Sequence, residues 1–451
     1  MNLDRGRLTA RLGEEERRFQ EAHPRSLALS RRAGRSLLGG VPMHWMVRWA
    51  GACPIFVTGG EGAHLTDVDG HRYLDLCLGD TGAMTGHAPA ATVEAVRAQA
   101  GRGFSFMLPT EDAIWCGEEL ARRFGLPYWQ FAVTATDANR FAIRLARAIT
   151  GRPRILVFNW CYHGTVDETL AVLRDGRVVA RDGNVGPPVD PSVTTRVVEF
   201  NDLPALEAAL AHGDVACVLA EPALTNVGIV HPESGFHAAV RELTRRTGTL
   251  LVIDETHTIC AGPGGYTRAH GLEPDILTLG KPVAGGVPGA VYGLSEAVAE
   301  RVRAQSRLDL ADTGGIGGTL AANALASAAM RATLEHVLTE TSYRKTIPLG
   351  ERFARGVEGV IAERCLPWIV KRLGCRVEYW FRAAPPRNGG EAAAAVDPEL
   401  ERYMHLAALN RGILLTPFHN MALLAPAVTE ADVDRHTEVF RESVSVEGLF
   451  R

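Results

Sequence analysis

From about residue 111 to residue 279 the chain alternates short apolar runs with longer amphipathic segments. The apolar runs are QFAVTA, RILVFN, TRVVEF, ACVLAEP, LLVIDE and DILTL. Such short apolar blocks, bounded by polar residues, are typical of strands buried on both faces of a sheet. The segments between them, for example TEDAIWCGEELARRF and TDANRFAIRLARAIT, have the period of helices that pack on a sheet. The pattern predicts an α/β fold with a mostly parallel central sheet sandwiched by helices.

The segments on either side of this region do not show the alternation of strands and helices. Residues 1–38 predict a helix, and the following short strands predict hairpin turns at Gly59-Gly60 and Asp69-Gly70. Residues 174–193 predict an irregular excursion from the sheet. After residue 320 we expect an alanine-rich helix, two antiparallel strands in WIVKRLGCRVEYWFR and a flexible loop in PPRNGGEAAAAVD.

Two further helices are marked by their caps. Asp397 and Pro398 open one that Gly412 stops, and a capping box at Thr429 opens the last. We therefore expect three parts: residues 1–85, with an N-terminal helix and strands that join the small domain; 86–335, a large cofactor-binding domain; and 336–451, a smaller α+β domain.

Composition narrows the class of protein. The 451 residues carry a net charge of −4, which gives no basic field for nucleic acid. The charged N-terminus does not resemble a signal peptide, and no apolar run approaches the length of a membrane span. Eight scattered cysteines without a C-x-x-C pair favour free thiols in a cytoplasmic protein, and the 15 histidines form no evident metal site.

One lysine stands apart from the other basic residues. Of the 48 basic side chains only Lys281, Lys345 and Lys371 are lysines. The last two lie in charged, surface-like contexts, whereas Lys281 follows the strand DILTL and precedes the glycine-rich VAGGVPGA. A desolvated lysine amine can form a Schiff base with a carbonyl, which arginine cannot do. Lys281 is therefore a candidate catalytic residue, although a surface lysine on a loop is the simpler interpretation of this residue alone.

Three loops that follow predicted strands carry further candidate chemistry, because ligands of such sheets bind at the carboxyl ends of strands. Thr134, Ala135 and Thr136 open a helix, where backbone N–H groups can hold a phosphate, or where the threonine simply caps the helix. The loop WCYHG offers an aromatic ring that could stack on a planar cofactor. Asp254 ends the most apolar strand, where a carboxylate needs a cation or hydrogen-bond donors.

Taken together, these parts indicate a single cofactor. A phosphate site, an aromatic ring, a carboxylate for a protonated ring nitrogen and an isolated lysine are what pyridoxal 5′-phosphate requires. We therefore expect pyridoxal 5′-phosphate to bind between Asp254 and Lys281.

The same motifs carry a resemblance to a known family. The runs VTATDANRFAIRLARAITGR, CYHG, EPALTNVGIV, LLVIDETHT, ILTLGKPVAGGVPGAVYG and GGTLAANALA are similar to those of the class III aminotransferases. The similarity spans about residues 39–433 and is greatest to the branch that contains glutamate-1-semialdehyde aminomutase. It implies a fold-type I homodimer with the active site at the subunit interface.

The resemblance also implies roles for individual residues. Lys281 matches the Schiff-base lysine and Asp254 the partner of the pyridine nitrogen. The other cofactor-binding positions are Thr134, Ala135, Thr136, Tyr162, Asn226, Thr256 and Thr319, of which Thr319 would reach the phosphate of the other subunit. Arg48 matches an arginine that binds a substrate carboxylate. Asp80 could meet a cationic group of the substrate, or could simply fix its own glycine-rich loop.

The sequence also departs from the family pattern. Ala135 replaces a glycine of the phosphate loop, and Thr256 stands where a valine usually packs under the ring. Residues 417–429 contain no acid, whereas the aminomutase has a glutamate there. These features favour an aminotransferase that moves an amino group between an amino donor and a 2-oxo acid or aldehyde. An aminomutase, an amino-acid racemase or epimerase, and a non-catalytic binding protein remain alternatives.

Overall fold

The computed structural model of the protein describes residues 3–305 and 315–450. The chain divides into two compact units. The first comprises Met1–Pro89, Thr341–Pro385 and Ala395–Arg451, and the second comprises Ala90–Glu340 and Pro386–Ala394. The expected boundaries after residues 85 and 335 lie four and five residues from these divisions. The assignment of these parts as functional domains stays a prediction.

The α-helices of the described residues are α1 (Arg5–Ala22), α2 (Pro24–Ala33), α3 (Ala90–Ala100), α4 (Glu111–Phe124), α5 (Ala135–Thr150), α6 (Leu203–Leu210), α7 (Phe236–Thr247), α8 (Gly265–Ala269), α9 (Glu296–Arg303), α10 (Ala324–His336), α11 (Glu340–Glu363), α12 (Gly389–Ala393), α13 (Pro398–Leu409) and α14 (Glu430–Val444). The strands are β1 (Val57–Glu61), β2 (His64–Asp67), β3 (Arg72–Asp75), β4 (Tyr128–Ala132), β5 (Arg154–Phe158), β6 (Ala171–Arg174), β7 (Arg177–Ala180), β8 (Thr195–Val198), β9 (Val215–Ala220), β10 (Leu250–Asp254), β11 (Ile276–Leu279), β12 (Ala290–Leu294), β13 (Ile369–Leu373), β14 (Arg376–Trp380), β15 (Ile413–Leu414) and β16 (Met421–Leu423).

The second unit is built on a seven-stranded sheet in the order β4-β12-β11-β10-β9-β5-β8. Strands β11, β10, β9, β5 and β8 pair in parallel, and β12 pairs antiparallel to both β11 and β4. Every residue of β9 and β10 is buried, because helices such as α5 and α7 pack on the sheet. The predicted α/β fold with a mostly parallel sheet is confirmed.

The first unit contains two smaller sheets. One has the order β1-β2-β3-β15, in which β15 pairs in parallel with β3, so strands from both ends of the chain share it. The other is the antiparallel sheet β13-β14-β16. The strands expected in WIVKRLGCRVEYWFR are β13 and β14. The capping box at Thr429 is present, with Asp432 bonded back to it.

Several local expectations were wrong, each for a physical reason. The N-terminal helix is two helices, because Pro24 has no N–H with which to continue α1. The turn expected at Gly59-Gly60 lies instead at Gly62, where φ is +57°. Gly60 is inside β1, where a Cβ would approach the side chains of Leu65 and His87 to 2.8 and 2.9 Å.

The excursion over 174–193 begins with a hairpin. Strands β6 and β7 pair antiparallel, and the Asp175-Gly176 turn between them has positive φ at both residues. An Asp-Gly pair favours this turn. The expected flexible loop over 385–397 contains α12, capped by Asn388, and part of it belongs to the second unit.

Two global features bear on the class of protein. Within 3–305 and 315–450 no helix is both long and apolar enough to span a membrane. All eight cysteines are free, and only Cys365 is exposed.

Candidate active site

Asp254 and Lys281 lie at the carboxyl ends of two neighbouring parallel strands. Asp254 is the last residue of β10 and pairs in register with Thr278 of β11, three residues before Lys281. Lys281 begins a short 3₁₀ turn, Lys281–Ala284, with φ of +49°. A non-glycine residue in this region is strained, and such strain is held in place where the surrounding structure dictates it. The fold therefore brings together the two residues that the sequence singled out.

The Asp254 carboxylate is buried and surrounded by donors. Its Oδ2 accepts hydrogen bonds from Asn139 Nδ2 at 2.8 Å and from His163 Nδ1 at 2.9 Å, and its Oδ1 accepts one from the backbone N–H of Thr256 at 3.0 Å. Asn139 in turn accepts a hydrogen bond from Thr278 Oγ1 at 2.6 Å. This network fixes the orientation of the carboxylate at the base of the site. A carboxylate has room for about four hydrogen bonds, so it can accept one more donor.

Burial and charge oppose each other in this network. Burial would raise the pKa of Asp254, but the hydrogen bonds and charge of His163 outweigh it and hold that pKa well below its usual range. Burial would lower the pKa of His163, but interactions with Cys161 and Asp254 outweigh it and raise that pKa. The two form a buried ion pair at neutral pH. Asp254 thus carries the negative charge that a protonated pyridine nitrogen requires.

The N-terminus of α5 lies beside this pair of strands. Thr134 caps the helix by accepting a hydrogen bond from the N–H of Asp137, so Ala135 and Thr136 occupy the first turn. First-turn N–H groups have no partner inside a helix and face outward at the positive end of its dipole. Ala135 and Thr136 thus supply two donors for an anion.

Close approaches of backbone bring the loops together. A Cβ on Gly280 would come within 2.8 Å of the Ala135 Cβ, so the turn that carries Lys281 touches the start of α5. On Gly164, whose φ is +79°, a Cβ would clash with Thr136. The Thr136 hydroxyl accepts a hydrogen bond from the N–H of Thr165 at 3.1 Å. Each glycine is required because atoms of Ala135 or Thr136, in the first turn of α5, occupy the place of its side chain.

The remaining cofactor candidates of the second unit lie on adjoining loops. Tyr162 is half-buried on the loop after β5, directly before His163. Asn226 donates a hydrogen bond through Nδ2 to the carbonyl of Trp160 at 2.9 Å, which ties the turn after β9 to that loop. Thr256 follows β10 and is buried.

Two buried polar atoms support the fit of a polar cofactor. Neither Thr256 Oγ1 nor His163 Nε2 has a hydrogen-bond partner within the described part of the chain. Unpartnered polar atoms are costly in a protein interior. A lysine amine, a buried carboxylate and a helix N-terminus meet here as well, and this set of groups suits pyridoxal 5′-phosphate.

Three of the site's residues were not among the candidates. Asn139 and His163 hold Asp254, and His257 Nε2 lies 2.7 Å from Lys281 Nζ. The sequence did offer a sign that Asn139 has a special role. It is a polar residue on the apolar stripe of α5, in line with Ala142 and Ala146. For His163 and His257, the only sign in the sequence was their place in the motifs CYHG and DETHT.

The three remaining predicted site residues, Thr319, Arg48 and Asp80, lie in other segments of the chain. Thr319 is exposed in the second unit. Arg48 and Asp80 belong to the first unit. Arg48 ends a 3₁₀ turn with its guanidinium 5.6 Å from the centre of the Phe418 ring, and Asp80 lies with its Oδ1 3.9 Å from Arg376 NH1. Asp80 thus faces a fully buried arginine.

One group of potential metal ligands exists among the described residues. His23, Asp67 and His71 lie close enough to hold an ion. His23 Nδ1 is 2.7 Å from the carbonyl of Phe19 and its Nε2 is 2.6 Å from the Tyr73 hydroxyl, which also donates to Asp67 at 2.9 Å. These hydrogen bonds explain the group as a structural network.

The fold and these strand ends define a fold-type I enzyme that binds pyridoxal 5′-phosphate. A family model described as "Aminotransferase class-III" matches residues 45–444, and the chain belongs to this family. Within it, the chain is 37% identical over 435 residues to a glutamate-1-semialdehyde 2,1-aminomutase of Sorangium cellulosum, covering 94% of this chain and 96% of the relative.

Solved structures agree with this family. A glutamate-1-semialdehyde aminomutase from Pseudomonas aeruginosa PAO1 has a TM-score of 0.97 and 53% identity, covering 98% of this chain and 99% of that one. A lysine-to-alanine variant of that enzyme is described in complex with PMP. A β-phenylalanine aminotransferase from Variovorax paradoxus has a TM-score of 0.86 and 26% identity, covering 98% of both chains. The predictions of fold, family and cofactor are confirmed.

Proposed function

We propose that this enzyme is an aminotransferase that transfers an amino group from a carboxylate-bearing amine to a 2-oxo acid or aldehyde. The observation that carries the proposal is the placement of Lys281 and Asp254 at the ends of neighbouring strands, beside the N-terminus of α5. Pyridoxal 5′-phosphate, when bound, supplies an aldehyde for amine chemistry and a ring that accepts electrons. The residues of the chain supply attachment, orientation and proton transfer.

Each residue has a separate task in this proposal. Lys281 binds the cofactor covalently and, once released by the incoming amine, moves a proton with its Nζ. Asp254 holds the proton of the ring nitrogen, and the Asp254–His163 pair keeps that carboxylate ionised. The N–H groups of Ala135 and Thr136, together with the Thr134 cap, form the phosphate site.

The remaining positions orient the ring and complete the site. Tyr162 would offer its ring to one face of the bound cofactor, Thr256 would line the other side of the site, and Asn226 would serve the ring hydroxyl. Thr319 would serve the phosphate bound by the other subunit.

The substrate class follows from Arg48, which we propose as the binding group for a carboxylate. An arginine fork matches a carboxylate in shape and charge. Asp80 gives weaker support for a cationic substrate group, because Arg376 opposes its charge within 3.9 Å. We therefore propose a carboxylate-bearing substrate and assign Asp80 to the support of its own loop.

An intramolecular amino shift is the second candidate. It is supported by the Sorangium and Pseudomonas relatives, which carry the name of an aminomutase. The absence of an acid in residues 417–429 argues against it, but the structure weakens that argument. The Glu378 carboxylate of β14 lies 3.5 Å from His419 Nδ1, so a carboxylate does lie against this stretch.

A direct test separates the candidates. The holoenzyme is mixed with one amino donor at a time while its visible absorption is followed, and turnover is then measured with and without a 2-oxo acid. An aminotransferase changes its absorption with the donor alone and needs the oxo acid for turnover. Product formation from a single substrate would favour the aminomutase, and inversion of the substrate's configuration would favour a racemase or epimerase.

The same test excludes a non-catalytic binding protein. If no donor changes the absorption of the bound cofactor, the proposal of an aminotransferase is wrong. Lys345→Ala serves as a control variant, and its absorption should respond to the donor as that of the wild type does. Within the described residues, Lys345 Nζ donates a hydrogen bond to the carbonyl of Pro426, and the residue is far from β11 in sequence.

We also propose a homodimer, supported by exposed apolar residues of the second unit. Phe104, Met107, Leu108 and Leu320 expose 58, 80, 71 and 59% of their surface. The N–H of Leu325 donates a hydrogen bond to the carbonyl of Phe104 at 3.2 Å, so the two stretches that bear these residues are neighbours. Apolar patches of this kind mark association surfaces. Thr319 lies in the same exposed stretch as Leu320.

A further inference from the structure

The Lys281 amine contacts a histidine. Lys281 Nζ and His257 Nε2 are 2.7 Å apart, and both side chains are half-buried. At this distance the lysine donates a proton in a hydrogen bond and the ring nitrogen accepts it. Nε2 must then be unprotonated, with the ring proton on Nδ1.

The fold holds both partners of this contact in fixed places. The N–H of Glu255 donates a hydrogen bond to the carbonyl of Thr278 at 2.9 Å, which continues the pairing of β10 with β11 beyond Asp254. His257 directly precedes a 3₁₀ turn, Thr258–Ala261, and Lys281 is the first residue of the turn after β11. The contact thus follows from the strand register.

A lysine must lose a proton before it can react. An ammonium group has no lone pair, whereas a neutral amine can attack an aldehyde. We propose that His257 is the proton acceptor of Lys281 during capture of the cofactor, and that it orients the amine by the same hydrogen bond. In this step an N–H bond breaks at Nζ and one forms at Nε2, leaving a neutral amine and an imidazolium. No other reactant is needed. The inference rests on the proposed role of Lys281.

The other titratable groups at these strand ends are engaged elsewhere. Asp254 is paired with His163, as described above. Glu255 accepts hydrogen bonds from the N–H groups of Tyr266 and Thr267 and from the Thr258 hydroxyl. Tyr162 lies on the loop of His163. His257 has its Nε2 within hydrogen-bond distance of Nζ, at 2.7 Å.

The experiment measures how fast Lys281 captures its cofactor. Cofactor-free full-length protein is mixed with pyridoxal 5′-phosphate, the reaction is stopped with borohydride after set times, and the labelled lysine is identified by peptide mapping. Lys345 and Lys371 are the other lysines of the chain and serve as internal references. The readout is a rate of labelling, which is independent of the amino donor and of turnover.

Three variants separate proton transfer from orientation. His257→Gln keeps a hydrogen-bond acceptor but cannot take a proton, so capture should slow about 10-fold or more. The final amount of bound cofactor should stay the same. His257→Ala should be slow too, and added imidazole should restore its rate in proportion to the unprotonated fraction of imidazole. His212→Gln, in an exposed loop, should capture the cofactor at the wild-type rate.

The pH dependence gives an independent readout. A protonated imidazole cannot accept a proton, so the wild-type rate should fall more steeply on acidification than the rate of His257→Gln. A purely structural role for His257 would not produce this difference.

The inference is overturned by a wild-type capture rate in His257→Gln, or by the absence of any effect of imidazole on His257→Ala. If circular dichroism shows that His257→Gln is not folded, the imidazole experiment on His257→Ala decides alone. A wild-type capture rate in His257→Ala would also reject the inference. Labelling of Lys345 or Lys371 in place of Lys281 would instead refute the proposed function, so the two failures are distinguishable.

Discussion

Lys281 combines a rare residue type with a strained backbone at the end of a buried strand. The residue has φ of +49°, and Gly280 before it packs directly on Ala135. Strain of this kind persists when the surrounding contacts dictate the conformation. The Lys281 side chain therefore begins from a fixed point near Asp254 and the first turn of α5.

Replacing Lys281 should abolish turnover. In Lys281→Ala the amine that binds the cofactor and moves the proton is gone, whereas the phosphate site remains, so cofactor should still bind non-covalently. The check is borohydride trapping with peptide mapping alongside a steady-state assay. Lys345→Ala and Lys371→Ala should behave as wild type. Near-normal turnover in Lys281→Ala would refute the assignment.

Replacing Asp254 by asparagine should preserve the shape of the site and remove its charge. The ring nitrogen would then lose the partner that keeps it protonated, and turnover should fall about 100-fold or more. Cofactor binding and turnover are measured on the same preparation. A variant that binds cofactor and keeps its rate would show that Asp254 has a structural role only.

The Asp254–His163 ion pair should make stability depend on pH. Burial lowers the pKa of His163, but Cys161 and Asp254 outweigh it and raise the folded-state pKa to about 10. The stabilising contribution of His163 is therefore complete below its unfolded pKa of about 6.5. The contribution is then lost as pH rises towards 10, by at most about 1.4 kcal/mol per pH unit.

His163→Gln should remove this loss. We expect the thermal stability of wild type to decline more than that of His163→Gln between pH 7 and pH 10, measured by calorimetry without cofactor. His270→Gln, at an exposed position of the same unit, is the control. Parallel declines in wild type and His163→Gln would argue against the ion pair.

At the scale of elements, α5 connects the sheet to the site. Its first turn supplies Ala135 and Thr136, and one turn later Asn139 reaches both Asp254 and the carbonyl of His163. The cap at Thr134 and the positive φ of Gly151 define the two ends of the helix. In the proposed function, one helix thus positions both the donors for the phosphate and the carboxylate for the ring nitrogen.

Helix α13 carries a half-buried acid, Glu401, beside β14. Burial, with the nearby charges of Glu378 and Asp397, raises the pKa of Glu401 to about 8. Because the unfolded value is about 4.3, the folded state favours the neutral carboxyl group. The stabilisation is present at acidic pH and is lost as pH rises through about 8.

Glu401→Gln should therefore stabilise the protein in alkaline solution. The amide stays neutral, so at pH 9 the variant should exceed wild type by roughly 2–4 kcal/mol, with a much smaller difference at pH 5. Thermal or urea unfolding at the two pH values measures this effect. Glu358→Gln, at an exposed position of α11, should show no such pH dependence.

At the scale of the whole molecule, the proposed dimer makes a prediction about shared sites. If Thr319 serves the phosphate site of the other subunit, Thr319→Asp should impair the partner's site by placing a negative charge beside the phosphate. A protein with Lys281→Ala in one subunit and Thr319→Asp in the other would keep one intact site.

Mixing the two variants should therefore restore activity. Each homodimer should have little activity, whereas random reassociation of equal amounts should return about a quarter of the wild-type value. Activity and size-exclusion chromatography are measured on the mixture. A dimer that shows no complementation would place Thr319 outside the neighbouring site.

The sequence by itself determined the class of fold, the family and the residues at the strand ends. Apolar strands and amphipathic helices follow from local periodicity, and Asp254 and Lys281 are conspicuous in their local context. The cap at Thr134 and the capping box at Thr429 are also local patterns, because each depends on residues within one turn of helix.

Only the tertiary structure decided which distant residues meet. Asn139 reaches Asp254 through the packing of α5, His163 reaches it from the loop after β5, and His257 meets Lys281 through the register of β10 with β11. None of these contacts can be read from local periodicity. The same holds for Asp80, whose charge is opposed by Arg376, and for Glu378 beside His419. These contacts join residues far apart in the chain, so their energies depend on how strands pair and not on which residues are neighbours in sequence.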